Sequence, residues 1–223
     1  LLIRSFYELF KNKPKAPALI LKTSGAGACY MVREFILNKI HAIKESVEAQ
    51  SFPSIYLLHG ELEDSEMNEL YNHPKVKAMV SLTKGEGFGR PLLEFTQSKK
   101  PIIATNWSGH TDFLHKKFVS LIEGNLTPVH QSAVNDWILK ESHWFTPNMI
   151  EIGHYLNNVF VNYKPFKENA KKQAGYAKNR FSLNKMKELL VSLIDQYSPE
   201  FVEEVELVLP ELQPLELPKL ETL

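Results

Sequence analysis

Cysteine is nearly missing: Cys29 is the single one in 223 residues. One thiol excludes an internal disulfide framework and any cysteine-based zinc cluster. It suits a reducing compartment, so the cytoplasm is the expected location. Long apolar runs are missing as well. The uninterrupted ones last a few residues, far short of the roughly 20 that a membrane-spanning helix needs. Neither sign of charge is in excess, with 26 basic and 26 acidic side chains. The total charge therefore gives no reason to expect nucleic acid or an anionic membrane as partner. The start lacks a leader pattern, because Arg4 and Glu8 interrupt the first apolar stretch and no small-residue cleavage site follows. It opens Leu1-Leu2-Ile3 without methionine, which reads as a piece of a longer chain. Aromatics are not scarce: 13 Phe, 8 Tyr and 3 Trp supply a core and exclude disorder throughout. The length suits one to two domains.

Hydrophobic spacing organises what is there. Leu2, Phe6, Leu9 and Phe10 recur at helical period, so residues 1–12 read as a helix stopped by Lys13-Pro14. Residues 18–22 are a short apolar run, typical of a buried strand, and 23–27 are a loop of small residues. Residues 30–48 follow with a helical period. The cycle repeats: strand 54–59, a break at Gly60, helix 64–71 capped by Asp64 or Ser65, and strand 76–82. A glycine-rich loop over 83–89 precedes a helix over 91–98, opened by Pro91. Strand 101–105, a polar loop over 106–110 and a short strand over 118–122 close the run. Alternating strands and helices at this spacing predict an α/β fold: a Rossmann-like parallel sheet with helices on both faces. Beyond about 130 the pattern turns to helices, over 148–162, 165–179 and 183–197, the last preceded by Ser182.

The densest chemistry is Lys84-Gly85-Glu86-Gly87-Phe88-Gly89-Arg90-Pro91-Leu92-Leu93-Glu94, between a strand and a helix. Open α/β sheets bind ligands at that edge. The glycines let a ligand approach the backbone, the helix start favours a phosphate, and Arg90 adds a bidentate cation. Glu86 and Glu94 do not belong in a pure phosphate cradle, since carboxylates repel phosphate. They suit sugar hydroxyls, which donate to them. Phosphate in the middle and hydroxyl-bearing groups at each end is the shape of a nucleotide-sugar.

These residues resemble a known family. Glu86, seven residues, then Glu94 matches the Glu-x7-Glu motif of retaining GT-B glycosyltransferases, the glycosyl transferases group 1 that include glycogen synthase-like and sucrose synthase-like enzymes. Leu70-Tyr71, Val80-Ser81, Gly85 to Gly89, Pro91, Lys100 to Ala104 and Ser108-Gly109 resemble the donor half of those enzymes. The likeness runs over roughly residues 18 to 115, and more loosely to about 197. It implies the C-terminal, donor-binding half of a GT-B fold. It also implies transfer of a hexose from a nucleotide diphosphate sugar, with retention, to a glycan or other hydroxyl acceptor. No metal and no cofactor are expected, and a missing N-terminal domain would carry most of the acceptor site. Carried over by residue, Glu86 contacts the hexose and Glu94 the ribose. Lys22 and Arg90 join Glu86 as the catalytic set. Gly25, Gly60, Leu62, Lys84, Gly87, Phe88, Gly89 and Leu92 complete the donor-binding set. Two positions depart from the family. Lys22 is followed by small residues, with Gly27 where a second cation is usual, so Lys84 or Arg90 would take its place. Ser108-Gly109 stands where a Gly-Gly pair is common.

Several residues admit a second reading. Lys22 could be a solvated strand end, and Arg90 an ion-pair partner of Glu86 or Glu94. His59, His110, Cys29, Trp107, Trp137 and Trp144 read first as packing residues. A non-catalytic Rossmann-like module, or a GT-B epimerase or phosphorylase relative, are the competing functions. Residues 1–199 are expected to form one domain. Residues 200–223 hold Pro210, Pro214 and Pro218, seven Glu and one Lys, an acidic tail expected to be extended or disordered. The body over 1–199 is then mildly basic. That suits an anionic donor and leaves weak attraction to an anionic membrane surface open.

Overall fold

The computed structural model describes residues 1–23 and 29–199. The small-residue loop with Gly25 and Gly27, and the acidic tail, lie outside the described residues. Contacts divide the chain into two units, Leu1–Met186 and Lys187–Leu223.

Helix α1 (Leu2–Phe10) leads into strand β1 (Leu19–Thr23), then helix α2 (Tyr30–Glu45), strand β2 (Ile55–His59) and helix α3 (Asp64–Asn72). Strand β3 (Met79–Ser81), helix α4 (Arg90–Thr96), strand β4 (Ile102–Thr105) and strand β5 (Ser120–Ile122) follow. All strand pairings so far are parallel: β1 with β2, and β4 between β3 and β5. Hydrogen bonding thus groups the parallel strands as a pair and a triplet.

One apolar cluster ties both groups together. Phe6 and Phe10 of α1 pack with Ile103 and Ile122, and Leu19, Ile55 and Val80 of the other strands lie against them. The opposite face carries a second cluster, with Leu92 and Phe95 of α4, Ile102, Ala104 and Phe113. Successive strand residues point to opposite faces, so Ile103 enters one cluster and its neighbours Ile102 and Ala104 the other. That is why β4 is buried along its whole length and why a continuous apolar run, not an alternating one, marks it in the sequence.

Two features differ from the sequence reading. The cap of α3 is Glu63, one residue before the expected Asp64 or Ser65. Its side chain accepts from the backbone at Glu66, and the Glu66 carboxylate accepts the Glu63 N–H at 2.8 Å. A glutamate reaches far enough to do what Asp or Ser does at a cap. The second difference is an antiparallel ribbon of β6 (Gly124–Pro128) and β7 (His143–Pro147), in a stretch where the sequence pattern marks no strand and turns to helices beyond about 130. Its strands carry few aliphatic residues, so no buried-strand signal marks them. Helices α5 (Met149–Val161), α6 (Tyr163–Arg180) and α7 (Leu183–Tyr197) then match the expected helical stretch. Ser182 Oγ accepts from Lys185 N at 3.4 Å at the start of α7. Among the described residues no helix is long and apolar enough to cross a membrane.

Candidate functional site

The loops that follow β3 and β4 meet at the carboxyl edge of the triplet. Glu86 N–H donates to Ser108 Oγ at 3.0 Å, and that hydroxyl donates back to the Glu86 carbonyl at 2.6 Å. Gly109 N–H donates to the same carbonyl at 3.0 Å. Three bonds therefore clamp the backbone of Glu86. Ser108 holds a positive φ of 81°, a conformation that disfavours a side chain by about 1–3 kcal/mol. Here the two hydroxyl bonds offset the strain. Ser108→Ala keeps the strain and loses the bonds, so urea unfolding should show a loss of about 1–3 kcal/mol, larger than for Ser108→Gly.

The glycines of the loop divide by role. Gly89 has φ +87°, and a Cβ there would come within 3.0 Å of His110 Cβ. Gly89 is thus required by the fold, where it precedes α4. Gly85 and Gly87 have ordinary φ, and nothing lies within 4 Å of a Cβ built on either. The fold itself does not demand glycine at those two places. The N–H groups of Gly87, Phe88 and Gly89 have no hydrogen-bond partner among the described residues. Unpartnered backbone N–H groups of this kind are donors that an anion can accept from.

The two carboxylates differ in surroundings. Glu86 is half-buried under the clamp. Glu94 lies on α4, where its Oε1 accepts from Arg90 Nε at 2.6 Å; Arg90 Nη2 also lies 3.5 Å from Asp64. Arg90 therefore takes the ion-pair geometry of its second reading, and that bond with Glu94 raises its pKa further. Tyr71 sits close by, edge-on to Phe95 at 5.4 Å, its hydroxyl pKa raised by burial and then by the Glu94 charge.

The cations are held in different ways. Lys22 Nζ donates to the Gly60 carbonyl at 2.6 Å, joining the ends of β1 and β2. Gly60 has φ +124° and leads to the half-buried Leu62. Lys84 Nζ lies 3.0 Å from the centroid of the Trp144 ring, and burial lowers its pKa. Its carbonyl accepts from Phe145 N at 3.0 Å. Phe145 in turn stacks on Trp107, with ring planes 1° apart and centroids at 6.0 Å. The ribbon thus braces the glycine-rich loop from the side, and sequence reasoning missed this. Lys84 and Trp144 are far apart along the chain, and no local pattern joins them.

The structure brings Lys84, Glu86, Gly87, Phe88, Gly89, Arg90, Leu92 and Glu94 together on one loop and helix. Leu92 faces the core and is 2% exposed, while Phe88 is 43% exposed against Phe113. Lys22, Gly60 and Leu62 lie at the ends of the other strand pair. Gly25 is outside the described residues. His110 is fully buried, with Nε2 2.6 Å from the Thr105 carbonyl, to which it must donate. Its Nδ1, His59 Nε2 and Thr83 Oγ1 are buried without a partner among the described residues. No group of three or more His, Cys, Asp or Glu among those residues could hold a metal ion.

Comparison with known proteins gives a family likeness and a shared fold. Residues 42–142 match the family model for glycosyl transferases group 1. No curated protein sequence matches the chain. A solved glycosyltransferase from Rickettsia africae ESF-5 is similar at 18% identity and a TM-score of 0.60, over 89% of this chain and 44% of that one. Anabaena HepE, solved with UDP and glucose, is similar at 14% identity and a TM-score of 0.59, over 87% of this chain and 44% of that one. A second HepE structure, with UDP-glucose, gives 13% identity and a TM-score of 0.57. At such identities the likeness is one of fold. The chain spans less than half the length of these solved chains. Residues 42–142 are thus similar to glycosyl transferases group 1, and the α/β fold of the chain is shared with solved glycosyltransferases.

Proposed function

We propose that this chain is the donor-binding half of a retaining GT-B glycosyltransferase, which moves a hexose from a nucleotide diphosphate sugar to an acceptor hydroxyl. The observation that carries the reading is the loop itself. Glu86 and Glu94 flank a backbone whose N–H groups at 87–89 have no partner among the described residues, and no atom lies within 4 Å of a Cβ built on Gly85 or Gly87. Carboxylates accept from hydroxyls at both ends of such a donor, and amides donate to the diphosphate between them.

In this reading Glu86 accepts from the hexose hydroxyls and Glu94 from the ribose. Arg90 orients the Glu94 carboxylate through its 2.6 Å bond. Lys84 and Lys22 supply positive charge toward the diphosphate, which stabilises the departing nucleotide without a metal ion. Among the loop cations Lys84 has no carboxylate partner in the described residues, so its charge is the less neutralised one. The UDP and UDP-glucose held by Anabaena HepE make UDP the first nucleotide to test. The acceptor site lies mostly in the part of the enzyme this chain does not span, so the chain alone binds donor weakly and transfers little.

Calorimetric titration with UDP, ADP, GDP and their glucose conjugates tests the reading. Glu94→Ala should weaken nucleotide binding by about 1–3 kcal/mol, because charge-assisted bonds to the ribose are lost. Arg90→Ala serves as the control for the broken ion pair. Unchanged affinity in Glu94→Ala would sink the ribose assignment, and turnover by the chain alone at the rate of a complete enzyme would sink the half-enzyme reading.

A further inference from the structure

The ribbon has two unlike faces. Its register pairs Leu126 with Phe145 on one face, and Asn125 with Thr146 and Thr127 with Trp144 on the other. On the first face Phe145 is buried and stacked on Trp107, while Leu126 is exposed. The second borders a cleft of about 390 Å³ lined by Glu123, Asn125, Thr127, Thr146 and Asn148, with backbone from Gly124 and Pro147. That volume lies in the range of small-molecule sites.

The lining chemistry selects a ligand class. It holds two hydroxyls, two carboxamides and one carboxylate, and neither a lysine nor an arginine, so it does not recognise an anion. It holds no large aliphatic side chain, so it does not recognise an acyl chain. Each oriented group retains bonding capacity. Thr127 Oγ1 and Thr146 Oγ1 share one hydrogen bond at 2.7 Å, which leaves one hydroxyl proton. Asn148 Oδ1 accepts from Ile150 N at 2.9 Å, which leaves its two amide protons. Glu123 Oε1 accepts from Asn106 Nδ2 at 2.8 Å, which leaves the second carboxylate oxygen. Hydrogen-bond donors and acceptors with no cation among them match a neutral polyhydroxy ligand. The same ribbon touches the glycine-rich loop, through Phe145 N to Lys84 O and through Lys84 over Trp144.

We infer that this ribbon face is a subsite for a neutral carbohydrate chain, the acceptor's own sugars, next to the donor loop. The inference rests on the proposed donor site for its place in the reaction, and its test separates the two. The full chain is titrated with maltotetraose, cellotetraose and xylotetraose, followed by saturation-transfer NMR and calorimetry, and with UDP in parallel. At least one tetrasaccharide should bind at millimolar concentration. Thr127→Val combined with Thr146→Val should weaken it about fivefold or more and leave UDP affinity unchanged. Asn125→Ala, at an exposed position, is a second variant that does not depend on the threonine pair. If no tetrasaccharide binds, or if both variants bind one as tightly as the unaltered chain, the subsite is overturned. UDP binding with no tetrasaccharide binding overturns the subsite alone; absence of UDP binding overturns the donor site, while the tetrasaccharide arm still judges the subsite.

Discussion

Gly109→Ala should abolish most nucleotide binding while touching no ligand. An alanine Cβ there would lie 2.0 Å from the Gly87 carbonyl oxygen, 2.7 Å from the Gly87 carbonyl carbon and 3.0 Å from the Glu86 carbonyl oxygen. All three atoms are backbone, so no side-chain rotation relieves the clash. The loop over 85–89 must move away, and the three bonds that hold Glu86 go with it. Overpacking costs about 1–3 kcal/mol and the lost bonds about 1 kcal/mol each, so urea unfolding should show a loss of about 3 kcal/mol or more. UDP affinity should fall at least about tenfold, since a displaced loop no longer presents its carboxylate and amides together. Gly87→Ala is the informative contrast. Nothing lies within 4 Å of its added Cβ, so stability should hold, and any loss of UDP binding then reports how closely a ligand approaches. Binding at the unaltered level in Gly109→Ala would show that the close approach of the two loops is dispensable to the site.

Phe113→Ala carries the largest expected loss of stability. Phe113 is fully buried in the cluster with Leu92, Phe95 and Leu114. Its ring lies 5.2 Å from Phe88 and 5.9 Å from Phe181, and its carbonyl accepts from Gln173 Nε2 at 2.6 Å. Removing a buried phenylalanine leaves a cavity and costs about 3–5 kcal/mol. A domain of this size should then melt about 10 °C lower. Phe113 also supports Phe88 and lies against the backbone of Gly89, so the folded fraction should bind UDP more weakly too. A melting temperature within 2–4 °C of the unaltered chain, the shift about 1 kcal/mol would cause, would mean the cluster collapses around the gap.

Strand β4 was legible because burial on two faces demands a continuous aliphatic run. Strand β1 carries such a run too, but the expectation of a buried strand there fails, since Ile20 of β1 and Tyr56 and Leu58 of its partner β2 are exposed. The order of strands and helices follows from their spacing, and α7 matches the bounds expected from its period. The cap of α3 was displaced by one residue because a glutamate pair can form the same reciprocal bonds as the shorter caps. The ribbon was not legible. Gly124-Asn125-Leu126-Thr127-Pro128 has little strand character by itself, and it is strand only because His143–Pro147 pairs with it.

The candidate site divides in the same way. Glu86, Glu94 and their glycines stand out in the sequence because they are close together along the chain, and local spacing is what a sequence displays. Arg90 admitted two geometries, and the ion pair with Glu94 follows from their separation of one helical turn. Ser108 and Gly109 looked like a mild departure from a common pair. Folding makes them the clamp on Glu86, because the loops after adjacent parallel strands β3 and β4 end side by side at the same sheet edge.

By itself, then, the sequence determined the α/β order and singled out the glycine-rich loop with its two glutamates, since these depend on composition and short-range period. Only the tertiary structure decided that Gly109 is kept small by the Gly87 backbone, that Lys84 lies over Trp144, and that a polar cleft borders the loop. Those relations join residues about twenty to sixty positions apart. They arise when packing brings separate loops to one edge, and no pattern along the chain encodes them.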